Sequence, residues 1–463
     1  MKIIVENIHS KLVSDNPDSE FVKLKGILAK KYSAKLPGSE YSSAYKLKHW
    51  DGVKHYFSKA TGKFGTGLLY SIRSDLDYVG YDYEVIDNRE ALPLESIDIK
   101  GVEYREYQRV LIEKALEARG AIIKAPTGAG KTIVLAGMVK ALSRYTGLIF
   151  FTKKQLLYQT YKKLTEFGLD VGVCFGDGVE IKPITLCTLQ SVDKIIDSHL
   201  GCDFIIFDEV HEFSKGKLAT KVVKSFPQAS YRIGMTATVP TEKVAKLNII
   251  SWLGEILTES DLTELIKEGF LSQAEIIILK TKEENFQKCI DMTYPEIYDE
   301  YITTNSFRND AIAKICKKVG EKKSKTLVIV KTLEHAKILQ ELIPGSYKLE
   351  GKDNLLERDK VIQKFKDEDS SVIIGTTIFQ TGIDIPEITH FINARGLKSE
   401  IATLQAMGRA LRVHKSKESV FIYDFEDNAP YLDKHATERI KVYKATGLKV
   451  NHGTHRPKTK KDK

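Results

Sequence analysis

Ala125-Pro126-Thr127-Gly128-Ala129-Gly130-Lys131-Thr132 most restricts how this chain can fold. It follows directly on the apolar run Ala121-Ile122-Ile123-Lys124 and precedes a helical pattern. A strand running into a glycine-containing loop and then a helix is the build of a phosphate-binding loop. Gly128 and Gly130 let the backbone bend and aim N–H groups at phosphate oxygens. The helix behind adds the positive end of its dipole. Further apolar runs at 148–151, 184–187, 204–207 and 231–235 alternate with helical patterns, as strands buried on both faces do. A second series follows at 275–279, 326–330, 372–375 and 420–423. The expected class is α/β: two tandem domains with parallel sheets, preceded by a small α+β domain.

With 463 residues, about three domains are expected. The texture divides the chain into an N-terminal nucleic-acid-binding domain (1–95), a first ATP-binding domain (96–270), a second domain (271–440) and a basic, disordered tail (441–463). Segment 281–307 reads as a helical connection or an insertion. Lysine and arginine (71) exceed aspartate and glutamate (62), which permits a polyanionic partner without requiring one. The five cysteines are scattered and form no Cys-x-x-Cys pair, so neither a zinc site nor a disulfide framework is expected. No apolar run approaches the length of a membrane span, and charge interrupts the first residues too early for a signal peptide. A cytoplasmic monomer with no membrane partner is expected.

The loop supplies Thr127, Gly128, Ala129, Gly130, Lys131 and Thr132 to ATP. Lys131 suits the β- and γ-phosphates, and Thr132 suits Mg²⁺. Asp208-Glu209-Val210-His211 follows the apolar strand 203–207, at the sheet edge where ligands bind in such folds. Asp208 would hold Mg²⁺, and Glu209 would orient and deprotonate the attacking water. His211 either relays nucleotide state or caps a local hydrogen-bond network. Gln108, upstream, carries an amide that suits the adenine edge. Thr236 and Thr238 offer hydroxyls near the γ-phosphate. Far downstream, Gln405-Ala406-Met407-Gly408-Arg409-Ala410-Leu411-Arg412 carries two arginines suited to the same phosphates.

Taken in order, Gln108, the phosphate loop, Asp-Glu-Val-His, Thr-Ala-Thr, Thr376–Pro386 and Gln-x-x-Gly-Arg-x-x-Arg resemble the motif set of superfamily-two helicases over roughly residues 100–425. The resemblance implies two RecA-like domains, with Arg409 and Arg412 as arginine fingers and with Gln405 and Gly382–Asp384 at the nucleotide interface. Ala125 stands where the strict loop pattern has glycine. The Asp-Glu-Val-His box and the Gln405-Ala406 pair depart from the RNA helicases with an Asp-Glu-Ala-Asp box. Lys48-His49-Trp50-Asp51-Gly52-Val53 and Gly65-Thr66-Gly67-Leu68-Leu69 look like phage branch-migration helicases of the UvsW type.

That family holds single-strand phosphates across both domains without reading sequence. By motif position the contacts are Thr152, Lys153, Lys154, Thr188, Gln190, Lys331, Thr332, Thr376 and Thr377. Residues 23–63 add ten lysines against Glu40 and Asp51, interleaved with Tyr41, Tyr45, Trp50, Tyr56 and Phe57. Such a surface suits DNA forks and four-way junctions, with Lys46, Lys48 and Lys54 as contacts. The plainer reading is a solvated lysine face over an aromatic core, with Asp51-Gly52 as a hairpin turn and Trp50 packed beside it. The expected activity is an ATP-dependent DNA helicase that remodels branched DNA. An RNA helicase, or a binding protein that uses ATP as a latch, are the alternatives.

Overall fold

The apolar runs form the strands of two parallel sheets in the computed structural model, which describes residues 1–453 apart from 177, 200, 215–216, 260, 282–288, 290, 322–323, 351–354, 377–384 and 399. The chain divides into two compact units, one of residues 1–125 with 130–259 and the other of 126–129 with 260–463.

The large sheet of the first unit has eight strands in the order Gly178–Glu180, Gly172–Phe175, Ile184–Thr188, Gly147–Phe151, Phe204–Asp208, Tyr231–Thr236, Gly120–Lys124 and Glu255–Leu257. All neighbours run parallel except the first pair. The interior strands are buried on both faces, hence their unbroken apolar runs.

The first ninety residues build a separate four-stranded sheet, Lys63–Gly65, His9–Val13, Lys2–Val5 and Glu84–Asp87, with helices Ser19–Lys31 and Leu69–Val79. Its core is continuous with that of the large sheet: Leu12, Phe57, Phe64 and Ile72 belong to one buried cluster with Ile122, Phe150 and Ile249. Gly67 lets the two backbones close on each other. A Cβ there would stand 1.9 Å from the Ile250 carbonyl oxygen, which explains a glycine between Thr66 and Leu68. Asp51-Gly52 is not the tip of a hairpin. Strand Val53–His55 pairs with Ser33–Lys35 across the long connection 36–52, and the Asp51 carboxylate accepts from the Val53 N–H at 2.9 Å, turning the chain into the strand. Trp50 does pack there, its indole N–H donating to the Val53 carbonyl at 3.0 Å.

The second unit carries a seven-stranded parallel sheet in the order Tyr347–Leu349, Ser371–Gly375, Lys325–Ile329, His390–Asn393, Ser419–Glu426, Gln273–Lys280 and Lys449–Gly453. Its last strand corrects the expected tail. Helix Leu432–Ala445 crosses position 441, and residues 449–453 pair with Gln273–Lys280. Backbone hydrogen bonds to an existing strand order this segment despite its polar composition. Helices Tyr294–Tyr298 and Ser306–Gly320 make the region around 300 helical.

Arginine and aspartate side chains pair inside the second unit. Arg308 meets Asp427 at 2.9 Å and Arg439 meets Asp424 at 3.1 Å. Asp424 also accepts from the Tyr443 hydroxyl at 2.6 Å and the Asn393 amide at 2.9 Å.

Candidate nucleotide and nucleic-acid site

Parallel register brings the chemistry to one edge. Lys124 lies opposite Thr236, and Met235 opposite Asp208, so the phosphate loop, the Thr-Ala-Thr segment and the acidic box leave adjacent strand ends. Gly128 and Gly130 have φ of 90° and 80°, the left-handed region the loop requires. Gly130 is also needed for space, because a Cβ there would stand 2.4 Å from Gln108 Nε2. Lys131 and Thr132 open the following helix, Lys131–Ala141.

Gln108 is fully buried. Its side-chain oxygen accepts from the Arg105 N–H at 3.0 Å, closing the first turn of helix Glu106–Ala118, while its other end lies against Gly130. In this geometry the amide braces the phosphate loop. The assignment to the adenine edge remains an expectation.

Lys131 Nζ donates to Glu209 Oε1 at 2.7 Å, with 15% of each side chain exposed. Glu209 itself has φ 50°, uncommon outside glycine. Burial works to raise its carboxyl, but the Lys131 ammonium, helped by His211 and the Ala237 N–H, makes the net shift downward. Asp208 goes the other way: burial, and then the negative charge of Glu209, push it up to about 7. A carboxyl so raised beside a second carboxylate suits a divalent cation, which would restore its ionised form. Among the described residues no cluster of three or more His, Cys, Asp or Glu could hold a metal.

His211 is buried, and burial pushes its pKa down against the pull of Glu209 and Glu212. Its Nδ1 lies 2.8 Å from the Thr236 hydroxyl and 3.4 Å from Glu209, joining the acidic box to the Thr-Ala-Thr segment. Thr236 in turn donates to the Thr238 carbonyl at 2.7 Å.

The nucleic-acid candidates fall in varied places. Thr152 and Lys153 both bond to Glu212, Lys153 at 3.2 Å. Glu212 carries no motif of its own; its only sequence signal is its place one residue beyond Asp-Glu-Val-His. Lys154 and Gln190 are exposed, whereas Thr188 is buried and bonds Ser191 at 2.9 Å. Lys46 and Lys48 are exposed. Lys54 is half-buried, its ammonium donating to Asn248 Oδ1 at 2.7 Å. In the second unit Lys331 lies over the Tyr298 ring at 4.1 Å. Thr332 caps helix Leu333–Leu342, and Thr376 is buried at a strand end. Arg409 lies in the last turn of helix Glu400–Ala410, and Arg412 pairs with Leu271 just beyond it. Gln405 belongs to the same helix. Thr377, Gly382 and Asp384 lie outside the described residues.

Two family models match the chain. Residues 101–241 match the type III restriction enzyme res subunit, and residues 309–414 match the helicase conserved C-terminal domain. The chain is a superfamily-two helicase. The helicase is 24% identical to the ATP-dependent DNA helicase uvsW of Enterobacteria phage T4, over 96% of its own length and 93% of the relative's. It is 27% identical to the DNA 3'-5' translocase XPB2 of Sulfurisphaera tokodaii, over 84% and 95%. In fold it is similar to S. cerevisiae Dbp5 solved with RNA and ADP BeF3, at a TM-score of 0.54 and 17% identity, covering 77% of this chain and 91% of that one. Two RecA-like domains with parallel sheets are its architecture. Among the described residues no helix is long and apolar enough to cross a membrane.

Proposed function

We propose that the helicase uses ATP to remodel branched DNA, moving and unwinding forks and four-way junctions in replication, recombination or repair. The observation that carries this reading is the union of the lysine-rich N-terminal segment with the ATPase sheet through one hydrophobic core. A junction gripped by Lys46, Lys48 and their neighbours is thereby tied mechanically to the element that turns over ATP.

As an ATP-dependent DNA helicase, the protein divides the work among named groups. Lys131 meets the β- and γ-phosphates. When it does so it gives up its bond to Glu209, whose carboxylate then orients and deprotonates the attacking water. Thr132 and Asp208 would hold Mg²⁺, which would neutralise phosphate charge. Thr127–Gly130 cradle the phosphates with backbone N–H groups. By the family resemblance Arg409 and Arg412 would stabilise the transferring phosphoryl group as fingers, and Gln405, Gly382 and Asp384 would serve the same nucleotide interface. By motif position Thr152, Lys153, Lys154, Thr188, Gln190, Lys331, Thr332, Thr376 and Thr377 would contact single-strand phosphates, Thr188 and Thr376 from the backbone because their side chains are buried. The His211–Thr236 contact passes the state of the acidic box to the neighbouring strand end.

The test is ATP hydrolysis and strand separation by the full chain on single strands, duplexes, forks and four-way junctions, in DNA and in RNA of matched length. Branched DNA is expected to give the highest turnover and to be converted. Equal or greater stimulation by RNA would reject DNA as the substrate, and hydrolysis limited to one turnover would make ATP a latch.

A further inference from the structure

Asn248 lies on helix Lys243–Leu253 and is 8% exposed. Its amide is used from both ends. The oxygen accepts from Lys54 Nζ at 2.7 Å and from the Tyr56 hydroxyl at 2.8 Å, both from the N-terminal segment. The nitrogen donates to the Ser214 carbonyl at 2.7 Å. The orientation is fixed by chemistry, since an ammonium can only donate and a carbonyl can only accept. Ser214 follows the short turn Val210–Phe213 that carries the end of the acidic box, and its hydroxyl donates to the His211 carbonyl at 2.7 Å. His211 faces Thr236 and Glu209. A continuous chain of polar contacts therefore runs from Lys54 through Asn248, Ser214 and His211 to the carboxylate that meets Lys131.

Lys54 also faces a cleft of about 1010 Å³ between the N-terminal segment and the large sheet's helices. Lys30, Lys59, Lys63 and His9 line the cleft with it, opposed by the carboxylate of Asp51. Phosphate oxygens entering such a cleft compete with Asn248 for the Lys54 ammonium. Lys54 is the member of this basic set that also bonds Asn248.

We propose that Asn248 is a positioning residue that couples nucleic acid held by the N-terminal segment to the acidic box of the ATPase site. Phosphate that draws on Lys54 removes one of the two donors to Asn248 Oδ1. The amide then shifts its hold on Ser214, and the His211 turn moves with it. This rests on the reading that the N-terminal segment grips branched DNA. The role differs from that of a simple strut, because it acts on turnover only when the branch is present.

Asn248→Asp in the full chain isolates the coupling. The carboxylate still accepts from Lys54 and Tyr56, but it turns an acceptor toward the Ser214 carbonyl in place of a donor. ATP hydrolysis is measured with no DNA, with saturating single strands and with saturating forks, alongside fork affinity and thermal melting. The expected result is unchanged KM for ATP and unchanged turnover on single strands, with fork affinity lowered because the new carboxylate holds Lys54 more tightly than the amide did, which is why the comparison is made at saturating forks. The extra turnover that forks elicit should fall roughly tenfold, the scale of one buried hydrogen bond turned unfavourable. If Asn248→Asp melts early, Ser214→Ala decides instead, because it removes only the hydroxyl bond to the His211 carbonyl and should lower the same fork-specific term. Retention of the full fork response by whichever variant is folded overturns the coupling. An unmodified protein that responds equally to forks and single strands overturns instead the reading on which the coupling rests.

Discussion

In the first unit the charged side chains of the nucleotide motifs gather at the carboxyl edge of the sheet, where Lys131 and Glu209 each keep 15% of their side chain exposed. In the second, Arg308, Arg439, Asp424 and Asp427 lie inside at 3% or less, paired with one another and with carbonyls. The edge charges are held in tension. Asp208 is pushed up to about 7 while its neighbour Glu209 is lowered, and one oxygen of Glu209 accepts no hydrogen bond. The interior charges are paired instead, Arg308 with Asp427 and Arg439 with Asp424, and although Arg308 Nη2 and Asp427 Oδ2 make no hydrogen bond among the described residues the pairs join helices Ser306–Gly320 and Leu432–Ala445 to the strand Ser419–Glu426. Charge strained at an open edge is available for chemistry, whereas charge matched in a core holds architecture.

Mutations at the catalytic groups should break this contrast hardest. Arg409→Ala and Arg412→Ala should each leave ATP binding intact and cut hydrolysis by roughly 10³- to 10⁵-fold. Glu209→Gln should bind ATP and lose about 10²- to 10⁴-fold in turnover, while Lys131→Ala should abolish hydrolysis. Phosphate release under single- and multiple-turnover conditions checks all four. None should lower the denaturation midpoint much, because none of these side chains fills a core.

Arg439→Met should behave oppositely. It leaves Asp424 buried without its guanidinium and should cost about 3–5 kcal/mol in denaturant unfolding of the second unit. A variant as stable as the parent would show that the interior network is not structural.

A smaller effect sharpens the comparison through pH. His335 is fully buried, with Nε2 2.8 Å from Asn309 Oδ1, and burial, followed by the nearby Arg308 charge, holds its pKa near 3. Above about pH 6.5 it is neutral in folded and unfolded chains alike and contributes no pH dependence. As pH falls below that value the unfolded chain takes the proton first, so stability is lost progressively down to about pH 3. Between pH 7 and pH 5 the loss should be roughly 2 kcal/mol. His335→Gln should flatten this slope in urea unfolding, and an unchanged slope would place the acid sensitivity elsewhere.

Much of this arrangement is legible in the sequence where the signal is local. The runs at 121–124, 148–151, 204–207 and 231–235 are strands because a parallel sheet buried on both faces demands unbroken apolar residues. The phosphate loop and the acidic box stand at strand ends, where that topology puts them. What is not legible depends on partners distant in the chain. Lys449–Gly453 is polar and becomes a strand only by adding to Gln273–Lys280. Glu212 and Asn248 have no periodicity of their own; their roles come from Lys153, Lys54 and Ser214, which reach them only through the fold. Asp51-Gly52 carries a hairpin signal, but its strand pairs across a long connection instead of the nearest segment.

The most direct test of branched-DNA binding by the N-terminal segment is the salt dependence of four-way-junction binding by the full chain carrying Lys46→Ala and Lys48→Ala. Both side chains are exposed and remote from the buried core. Removing one lysine–phosphate pair should flatten the log–log slope by about 0.9, so the double variant should bind junctions more weakly with a slope lower by roughly 1.8. A junction affinity and slope equal to those of the unmodified protein would contradict it.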